Sequence, residues 1–375
     1  MKQYNVMLKP VSSLCNLRCK YCFYCDVAAR RETGSFGKMR EETLTAILEN
    51  LRKSLEPGDR LTLAFQGGEP TLAGLEFYRR LVRTVSAWDS GIRVSYAIQT
   101  NGMLLDAEWC SFLKENSFLV GISYDILLEQ HDEVRVDAAG NGTGRAVARA
   151  IELLRRYGVD FNVLCTLTNA VARHPQQVWK RILQLDLQFV QFTPCLGELD
   201  SAQKSVYALT PERFASFYNV LLPLWLKEYG AGRYRSVKLF DDVVRLLAFG
   251  TPTACGIDGV CRPQLVVESD GSVYPCDFYC LDEYRMGSLA EQTISELLAA
   301  PAVQAFAART HRQPRLCAAC AFAQLCGGGC KRMQRSVCCD TDGRLCGYRE
   351  FLQRNFPALQ QIALAERSIG LRERL

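Results

Sequence analysis

Several kinds of segment are missing from this chain of 375 residues. No run approaches the roughly 20 apolar residues of a membrane span. The N-terminus, MKQYNVMLKPVSS, lacks the apolar core and small-residue cleavage site of a secretory signal. There is also no low-complexity linker and no repeat of fixed period. We therefore expect a cytoplasmic protein with no membrane partner.

An excess of charge of one sign is also missing. The chain has 45 basic and 40 acidic side chains, a formal net charge of +5, and its basic residues do not gather into a tail. We therefore expect no nucleic-acid partner. With 48% hydrophobic and 23% charged residues, the composition indicates a globular protein of one large domain or two ordinary ones.

Cysteine is abundant and unevenly placed. Of 18 cysteines, four lie between Cys15 and Cys25 and eleven between Cys255 and Cys346. The other three are Cys110, Cys165 and Cys195. In a reducing compartment, cysteines serve as metal ligands or catalytic groups more often than as disulfides. The distribution predicts two metal-binding regions on either side of a cysteine-poor body.

The body alternates short apolar runs with segments of helical period. Strands are predicted at 4–8, 61–66, 92–98, 118–123, 159–166 and 188–194. Helices are predicted at 41–54 and 144–157, and a third from an N-cap at Thr210 to about residue 229. Strand–helix units in series imply parallel strands, with functional loops at their carboxyl ends. The fold class expected is α/β, a partial (β/α)6 barrel followed by a cysteine-rich module.

The first cysteine loop follows the first predicted strand directly. Cys15, Cys19 and Cys22 have the spacing C-x3-C-x2-C. Three thiolates from one loop can hold three corners of a 4Fe–4S cluster and leave the fourth iron open to a small molecule. The alternative is a zinc site with Cys25 as the fourth ligand.

A second motif, FQGGEPTL, follows the second predicted strand. Gly67 and Gly68 allow the backbone to approach a ligand closely, and the Glu69 carboxylate can accept from an ammonium group. One strand–helix unit apart, the two motifs resemble those of radical S-adenosylmethionine (SAM) enzymes. The resemblance implies that SAM chelates the open iron and is cleaved to methionine and a 5′-deoxyadenosyl radical, while the GGEP motif holds its amino group.

The later cysteines form a second pattern. Eight of them, enough for two complete sets of four, are Cys255, Cys261, Cys276, Cys317, Cys320, Cys326, Cys330 and Cys346. Spacing alone leaves open two further 4Fe–4S clusters or two zinc sites. Cys338 and Cys339 are near enough to Cys346 that either is a candidate for the last ligand.

The spacings C-x9-G-x4-C and C-x2-C-x5-C-x3-C resemble the SPASM extension of radical SAM enzymes. By that resemblance one auxiliary cluster is held by Cys255, Cys261, Cys276 and Cys330, and the other by Cys317, Cys320, Cys326 and Cys346. The predicted domains are 1–235, the radical SAM partial barrel, and 236–375, a SPASM domain with a C-terminal helix.

The stretches LVVESDGSVYPCDFY, FQGGEPTLAGLEF, QTNG and FLVGIS together resemble the anaerobic sulfatase-maturating enzymes over nearly the whole chain. The resemblance implies that Asp277 is the general base, where the sequence alone suggests only a turn residue. It places cofactor contacts at Tyr21, Tyr24, Gln66, Gly67, Gly68, Glu69, Ser123, Arg135 and Leu196. Without it, Ser123 would be a strand-end turn residue and Arg135 a solvated charge.

The implied function is oxidation of a Cys or Ser in a sulfatase polypeptide to Cα-formylglycine. The radical removes a β-hydrogen, Asp277 takes the thiol or hydroxyl proton, and the surplus electron passes to an auxiliary cluster. The implied cofactors are SAM and three 4Fe–4S clusters. The implied partners are the polypeptide and an electron donor such as ferredoxin or flavodoxin. Because such clusters are oxygen-sensitive, we expect an anaerobic bacterial host.

Two other functions fit the same motifs. One is a SPASM enzyme that crosslinks a ribosomally made peptide through a thioether or carbon–carbon bond, and the other is an iron–sulfur electron carrier. One departure from the sulfatase-maturating pattern makes a divergent substrate more plausible. Where that family has S-M-D-G-P, this chain has Ser123–Tyr124–Asp125–Ile126–Leu127, and the loss of glycine is expected to change the turn.

Overall fold

The computed structural model of the protein describes residues 1–88, 91–200, 205–308, 314–340 and 343–372. The strands are β1 (Gln3–Leu8), β2 (Arg60–Phe65), β3 (Arg93–Thr100), β4 (Leu119–Ser123), β5 (Phe161–Leu167), β6 (Phe189–Pro194), β7 (Ser236–Val237), β8 (Leu265–Val267), β9 (Ser272–Tyr274) and β10 (Gly287–Ser288). The helices are α1 (Phe23–Ala29), α2 (Glu41–Ser54), α3 (Leu75–Ser86), α4 (Ala107–Glu115), α5 (Leu128–Val134), α6 (Gly144–Arg156), α7 (Pro175–Gln184), α8 (Pro211–Gly230), α9 (Lys238–Phe249), α10 (Ile294–Leu298), α11 (Pro301–Ala308), α12 (Ala323–Cys326), α13 (Gln334–Val337) and α14 (Gly347–Arg372).

The chain divides into two compact units. The first contains the described parts of 1–123, 132–161 and 263–310. In it β1, β2, β3 and β4 pair in parallel in that order. On the other side of β1, β8 pairs in parallel, and β9 and β10 continue antiparallel. Because β1 to β4 run the same way, the residues that follow them meet at one edge of the sheet.

Apolar side chains of the strands and helices form the core of the first unit. Leu61, Leu63 and Phe65 of β2 point to one face, as alternation in a strand requires. Ile47 and Leu51 of α2 are fully buried in the same core. This packing fixes the strand ends from which the functional loops leave.

The second unit contains the described parts of 124–131, 162–262 and 311–375. Here β5 and β6 pair in parallel, and β6 pairs in parallel with β7. Helices α8, α9 and α14 pack through an aromatic cluster in which the rings of Phe214, Phe240 and Phe351 surround Tyr218 at centroid distances of 4.8 to 5.8 Å. The cysteine-rich segment of 314–346 precedes α14, so its last residues are anchored by this packing.

The α/β fold with parallel strands is confirmed. The six predicted strands and three predicted helices are present with ends that differ by at most two residues, and 41–54 matches α2 at both ends. Thr210 caps α8 as expected, because its side chain accepts from the Arg213 backbone N–H. The division of the chain into domains at residue 235 stays a prediction.

The turn that lacks the family's glycine lies in the second unit. Ile126 has φ +64° and is fully buried. This left-handed conformation costs a β-branched residue about 1–2 kcal/mol. The turn is held by neighbours, since the Asp125 N–H donates to His131 Nδ1 at 3.2 Å and Asp125 Oδ1 accepts from the Thr166 N–H at 2.9 Å. The chain therefore keeps a glycine-like backbone here and bears the strain.

The strained turn leads to a test with an unusual order of stabilities. Ile126→Ala keeps the strain and loses the buried side chain, whereas Ile126→Gly loses the same side chain but relieves the strain. We expect the glycine variant to be the more stable of the two by up to about 1 kcal/mol, measured by urea unfolding. At Ile122, buried in β4, alanine should be the more stable replacement. The same order at both positions would contradict the assignment of strain.

Candidate active site

The first cysteine loop is held by backbone hydrogen bonds of the first unit. The Arg18 and Lys20 N–H groups donate to the carbonyls of Val136 at 2.7 Å and Val134 at 3.0 Å. None of the described cysteines forms a disulfide. Cys22 is the N-cap residue of α1, which places its sulfur where a helix favours negative charge.

The thiols of this loop lie close enough to influence one another. A hydrogen bond with Cys25 lowers the pKa of Cys22 to about 6, against the effect of burial. The same bond, burial, and the charges of Cys22, Cys15 and Cys19 raise the pKa of Cys25. Cys25 therefore keeps its proton beside the three predicted ligands and acts as a neighbour of the site.

The GGEP segment lies directly on the cysteine loop. The Gly68 N–H donates to the Ser12 carbonyl at 2.9 Å, and the Glu69 N–H donates to the Leu14 carbonyl at 2.8 Å. A Cβ on Gly68 would lie 1.9 Å from the Leu14 carbonyl oxygen. Only glycine permits this approach, so the two motifs form one structure.

The Glu69 carboxylate is buried and rigidly held. It is 1% exposed and accepts from Thr71 through both backbone N–H and hydroxyl, from the Thr100 hydroxyl at 2.7 Å and from the Asn101 N–H at 2.7 Å. Burial raises the pKa of Glu69, and these hydrogen bonds act in the opposite direction. Asn101 also donates to the Asn16 side chain at 2.8 Å, which links the carboxylate to the cysteine loop.

Other predicted cofactor contacts lie in both units. In the first, the Arg135 guanidinium stands 5.4 Å from the Tyr21 ring centroid and is 8% exposed, so Arg135 is not a solvated charge. Ser123 ends β4 and accepts from Gln99 Nε2 at 2.9 Å. Leu196 follows β6 in the second unit and is half-buried. Their contacts with SAM stay predictions.

Asp277 lies in a compact polar cluster of the first unit. The Tyr24 hydroxyl donates to Asp277 Oδ2 at 2.5 Å, and Gln66 Nε2 lies 3.1 Å from the Tyr24 hydroxyl and 3.4 Å from Oδ2. The other oxygen, Oδ1, is 2.8 Å from Lys9 Nζ. Tyr24 and Gln66, predicted as cofactor contacts, therefore both touch the predicted base.

Lys9 joins this cluster to a second carboxylate. Its ammonium lies 3.4 Å from Glu268 Oε1 and 3.2 Å from Cys280 Sγ, and Arg31 pairs with Glu268 at 2.7 Å. Lys9 is 2% exposed. Burial alone would lower the pKa of Lys9, but the negative charges around it, first that of Asp277, raise the pKa well above its usual value. Two cations and two carboxylates thus balance in a buried site.

Lys9 and Glu268 were not identified from the sequence, although a signal for them exists. Lys9 follows β1 directly, Gln66 follows β2 and Glu268 follows β8. A charged or polar residue immediately after an apolar parallel strand lies at the functional edge of a sheet. That rule applies to all three positions.

One set of auxiliary-cluster cysteines lines a pocket of the second unit. The lining includes Cys317, Cys320, Cys326 and Cys346, together with Cys338, Tyr348 and Arg349. A hydrogen bond with Cys338 lowers the pKa of Cys346 to about 6 and raises that of Cys338 well above its usual value. Cys339, the other candidate for the last ligand, does not line this pocket.

The second set is divided between the compact units. Cys255, Cys261 and Cys330 belong to the second unit, and the charges of Cys330 and Cys261 contribute to raising the pKa of Cys255, after burial. A Cβ on Gly256 would lie 2.8 Å from Cys330 Cβ, so glycine brings the two segments together. Cys276 belongs to the first unit, next to Asp277. The predicted grouping of these four stays a prediction.

The residues present fit the implied cofactors. Clustered thiols without disulfides are the donors that iron–sulfur clusters require. In the second unit, the buried Tyr348 hydroxyl lines the thiol pocket and has no hydrogen-bond partner among the described residues. A donor left unpaired in this way fits a pocket that holds an acceptor such as a cluster sulfide. In the first unit, a fixed carboxylate beside three thiols suits a ligand with an ammonium group.

Fold and site together define a class, that of radical SAM enzymes with an additional iron–sulfur module. Residues 10–173 match the Radical SAM superfamily, and residues 255–321 match the SPASM iron–sulfur cluster-binding domain. The chain is 39% identical to the cysteine-type anaerobic sulfatase-maturating enzyme of Clostridium novyi over 97% of this chain and 98% of the relative. It is 30% identical to the serine-type enzyme of Klebsiella pneumoniae over 93% and 86%. The protein belongs to the anaerobic sulfatase-maturating enzymes.

Solved structures agree with this assignment. Native anSMEcpe with bound AdoMet and Cp18Cys peptide matches with a TM-score of 0.87 at 37% identity, covering 97% of this chain and 99% of that one. Streptococcus suis SuiB bound to precursor peptide SuiA matches with a TM-score of 0.61 at 14% identity, covering 92% and 76%, which concerns the fold alone. The predicted cofactor classes, SAM and 4Fe–4S clusters, are confirmed over zinc. Among the described residues, no helix combines the length and apolarity needed to cross a bilayer.

The contact between Gly68 and Leu14 leads to the first prediction for the site. In Gly68→Ala the new methyl group must displace the backbone of the cysteine loop. We expect loss of roughly a third of the bound iron, because one of three clusters depends on this loop, and at least about tenfold weaker SAM binding. Gly230→Ala, at the end of α8 with nothing within 4 Å, is the control. Normal iron and SAM binding in Gly68→Ala would contradict the close approach.

The buried charges lead to the second. Lys9→Met leaves Asp277 without a counterion, and we expect a loss of about 3–5 kcal/mol in unfolding free energy of the anaerobic holoenzyme. The double variant Lys9→Met/Asp277→Asn should regain part of it. Because the pKa of Lys9 is raised by folding, this stabilisation is fully present at neutral pH and is lost only above about pH 10.4. Lys53→Met, at an exposed lysine, should change stability little, and an equal effect would argue against the buried ion pair.

Proposed function

We propose that this protein oxidises a cysteine of a sulfatase polypeptide to Cα-formylglycine, with Asp277 as the general base. The observation that carries the proposal is the cluster of Asp277, Tyr24, Gln66 and Lys9 in the first unit. This cluster holds a carboxylate in a fixed orientation beside polar donors, at the edge where parallel strands end. A cysteine target is favoured because the relatives at 38–39% identity are cysteine-type, whereas the serine-type relatives are 28–30% identical.

The cofactors would be held by residues already described. Cys15, Cys19 and Cys22 would bind the first cluster, and Glu69 would accept from the SAM amino group. When bound, SAM and this cluster supply a 5′-deoxyadenosyl radical that removes a hydrogen atom from the target residue. A low-potential donor of the ferredoxin or flavodoxin kind is the proposed source of electrons.

The chain's own part in the reaction is to orient the target and to remove a proton. Asp277 Oδ2 accepts from Tyr24 and lies near Gln66, so the target thiol would meet a carboxylate whose direction is already set. Oδ1 is held by Lys9, which leaves Oδ2 as the oxygen that takes the thiol proton. Burial and the charge of Asp277 raise the pKa of Tyr24 well above its usual value. Tyr24 therefore keeps its own proton, and the transfer takes place between the substrate and Asp277.

The proposal is tested with anaerobic holoenzyme, SAM, a strong reductant and paired sulfatase-like peptides that differ only in Cys or Ser at the target position. We expect faster conversion of the Cys peptide to the aldehyde, followed by mass spectrometry. Asp277→Asn should reduce conversion by about 10²–10⁴-fold, while 5′-deoxyadenosine still forms. Asp282→Asn, an exposed aspartate on the next turn, is the control.

Each other outcome has a distinct meaning. Conversion by Asp277→Asn at the normal rate would remove Asp277 as the base. Deoxyadenosine formation with both peptides unmodified would show that the substrate is a different polypeptide. A preference for the Ser peptide would overturn the choice of a cysteine target.

A further inference from the structure

The thiol pocket of the second unit contains one cysteine more than a cubane cluster needs. Five thiols line it, those of Cys317, Cys320, Cys326, Cys338 and Cys346. A 4Fe–4S cluster takes four thiolate ligands. One of the five therefore has a different role, and Cys338 and Cys346 are the two candidates because they contact each other.

Position in the fold separates the two. Cys346 immediately precedes α14, and its sulfur accepts from the Arg349 N–H at 3.4 Å. The start of a long helix and a backbone donor both favour a thiolate. Cys338 instead follows the short helix α13, with its N–H bonded to the Gln334 carbonyl at 2.8 Å. Cys346 is thus placed as the ligand, and Cys338 as its neighbour.

The backbone makes room for the Cys338 sulfur. A Cβ on Gly329 would lie 2.7 Å from Cys338 Sγ, and Gly329 has φ +75°, which favours glycine. Cys338 is 5% exposed. Its thiol therefore occupies one defined position, against a glycine and beside the Cys346 sulfur. Cys339, the next residue, has no such place in the pocket lining.

We propose that Cys338 is a positioning thiol for the auxiliary cluster of this pocket, whose S–H group donates to the Cys346 thiolate and raises the reduction potential of the cluster. A ligand must be deprotonated, so the proton between the two sulfurs belongs to Cys338. Hydrogen bonds to ligand sulfurs tune cluster potentials, and they favour the reduced form because it carries more negative charge. The proposal depends on the cluster in the pocket and not on which polypeptide is oxidised.

The test uses anaerobically reconstituted full-length holoenzyme without peptide. In Cys338→Ala we expect unchanged iron content and a negative shift of one of the three midpoint potentials in an EPR-monitored redox titration. A tenfold fall in the ratio of reduced to oxidised cluster at fixed potential corresponds to about 59 mV for one electron. Cys338→Ser keeps a donor at this position and should return the midpoint toward the wild-type value. Cys339→Ala is the matched control and should change neither quantity.

Two results would overturn the proposal. If Cys338→Ala loses one cluster's iron while Cys346→Ala keeps it, Cys338 is the ligand. If Cys338→Ala and Cys338→Ser both keep full iron and the wild-type midpoints, Cys338 only fills space. Should the alanine variant fail to fold, the serine variant still decides, because a midpoint that falls in spite of the retained donor also contradicts the proposal. Since no peptide is present, these outcomes are independent of the test of peptide oxidation.

Discussion

Parallel pairing of β1 with its neighbours is the constraint on which the site depends. It brings the carboxyl ends of β1, β2 and β8 to one edge, so that Lys9, Gln66 and Glu268 follow adjacent strands. No local preference of these three segments would bring them together, since they are separated by tens to hundreds of residues. The pairing also sets the cysteine loop after β1 beside the glycine loop after β2. Once the strands are in register, the remaining geometry is a matter of short loops.

Within that edge, burial determines what the charges can do. Lys9 is shared between Asp277 and Glu268, and Arg31 completes a set of two cations and two carboxylates. Desolvation would be costly for any one of these groups alone, but mutual pairing and hydrogen bonds offset it. The result is a base whose two oxygens have different partners, Lys9 on one side and Tyr24 on the other. Orientation is therefore built into the resting protein.

Much of this could be predicted from the sequence, and the limits have physical causes. Strands and helices were found because apolar periodicity is local, and the ligand cysteines because their spacings are regular. The partners of Asp277 were missed because Lys9 and Glu268 are isolated charges whose meaning comes only from tertiary contact. Arg135 would pass for a surface charge in the sequence alone, yet it is buried against Tyr21. The loss of glycine at Ile126 was expected to change the turn, but surrounding hydrogen bonds hold a left-handed backbone there.

The cysteines show why counting ligands is not enough. Spacing predicts which thiols can reach a cluster, but it could not decide among Cys338, Cys339 and Cys346, which lie within nine residues of one another. Structure separates them by their surroundings, since Cys346 precedes a long helix, Cys338 rests against Gly329 and Cys339 lies outside the pocket lining. Cys22 and Cys25 repeat the arrangement at the first cluster, with one ligand and one protonated neighbour. A thiol beside a thiolate ligand is thus a recurrent element of this chain, and it acts on the cluster through the sulfur that it contacts.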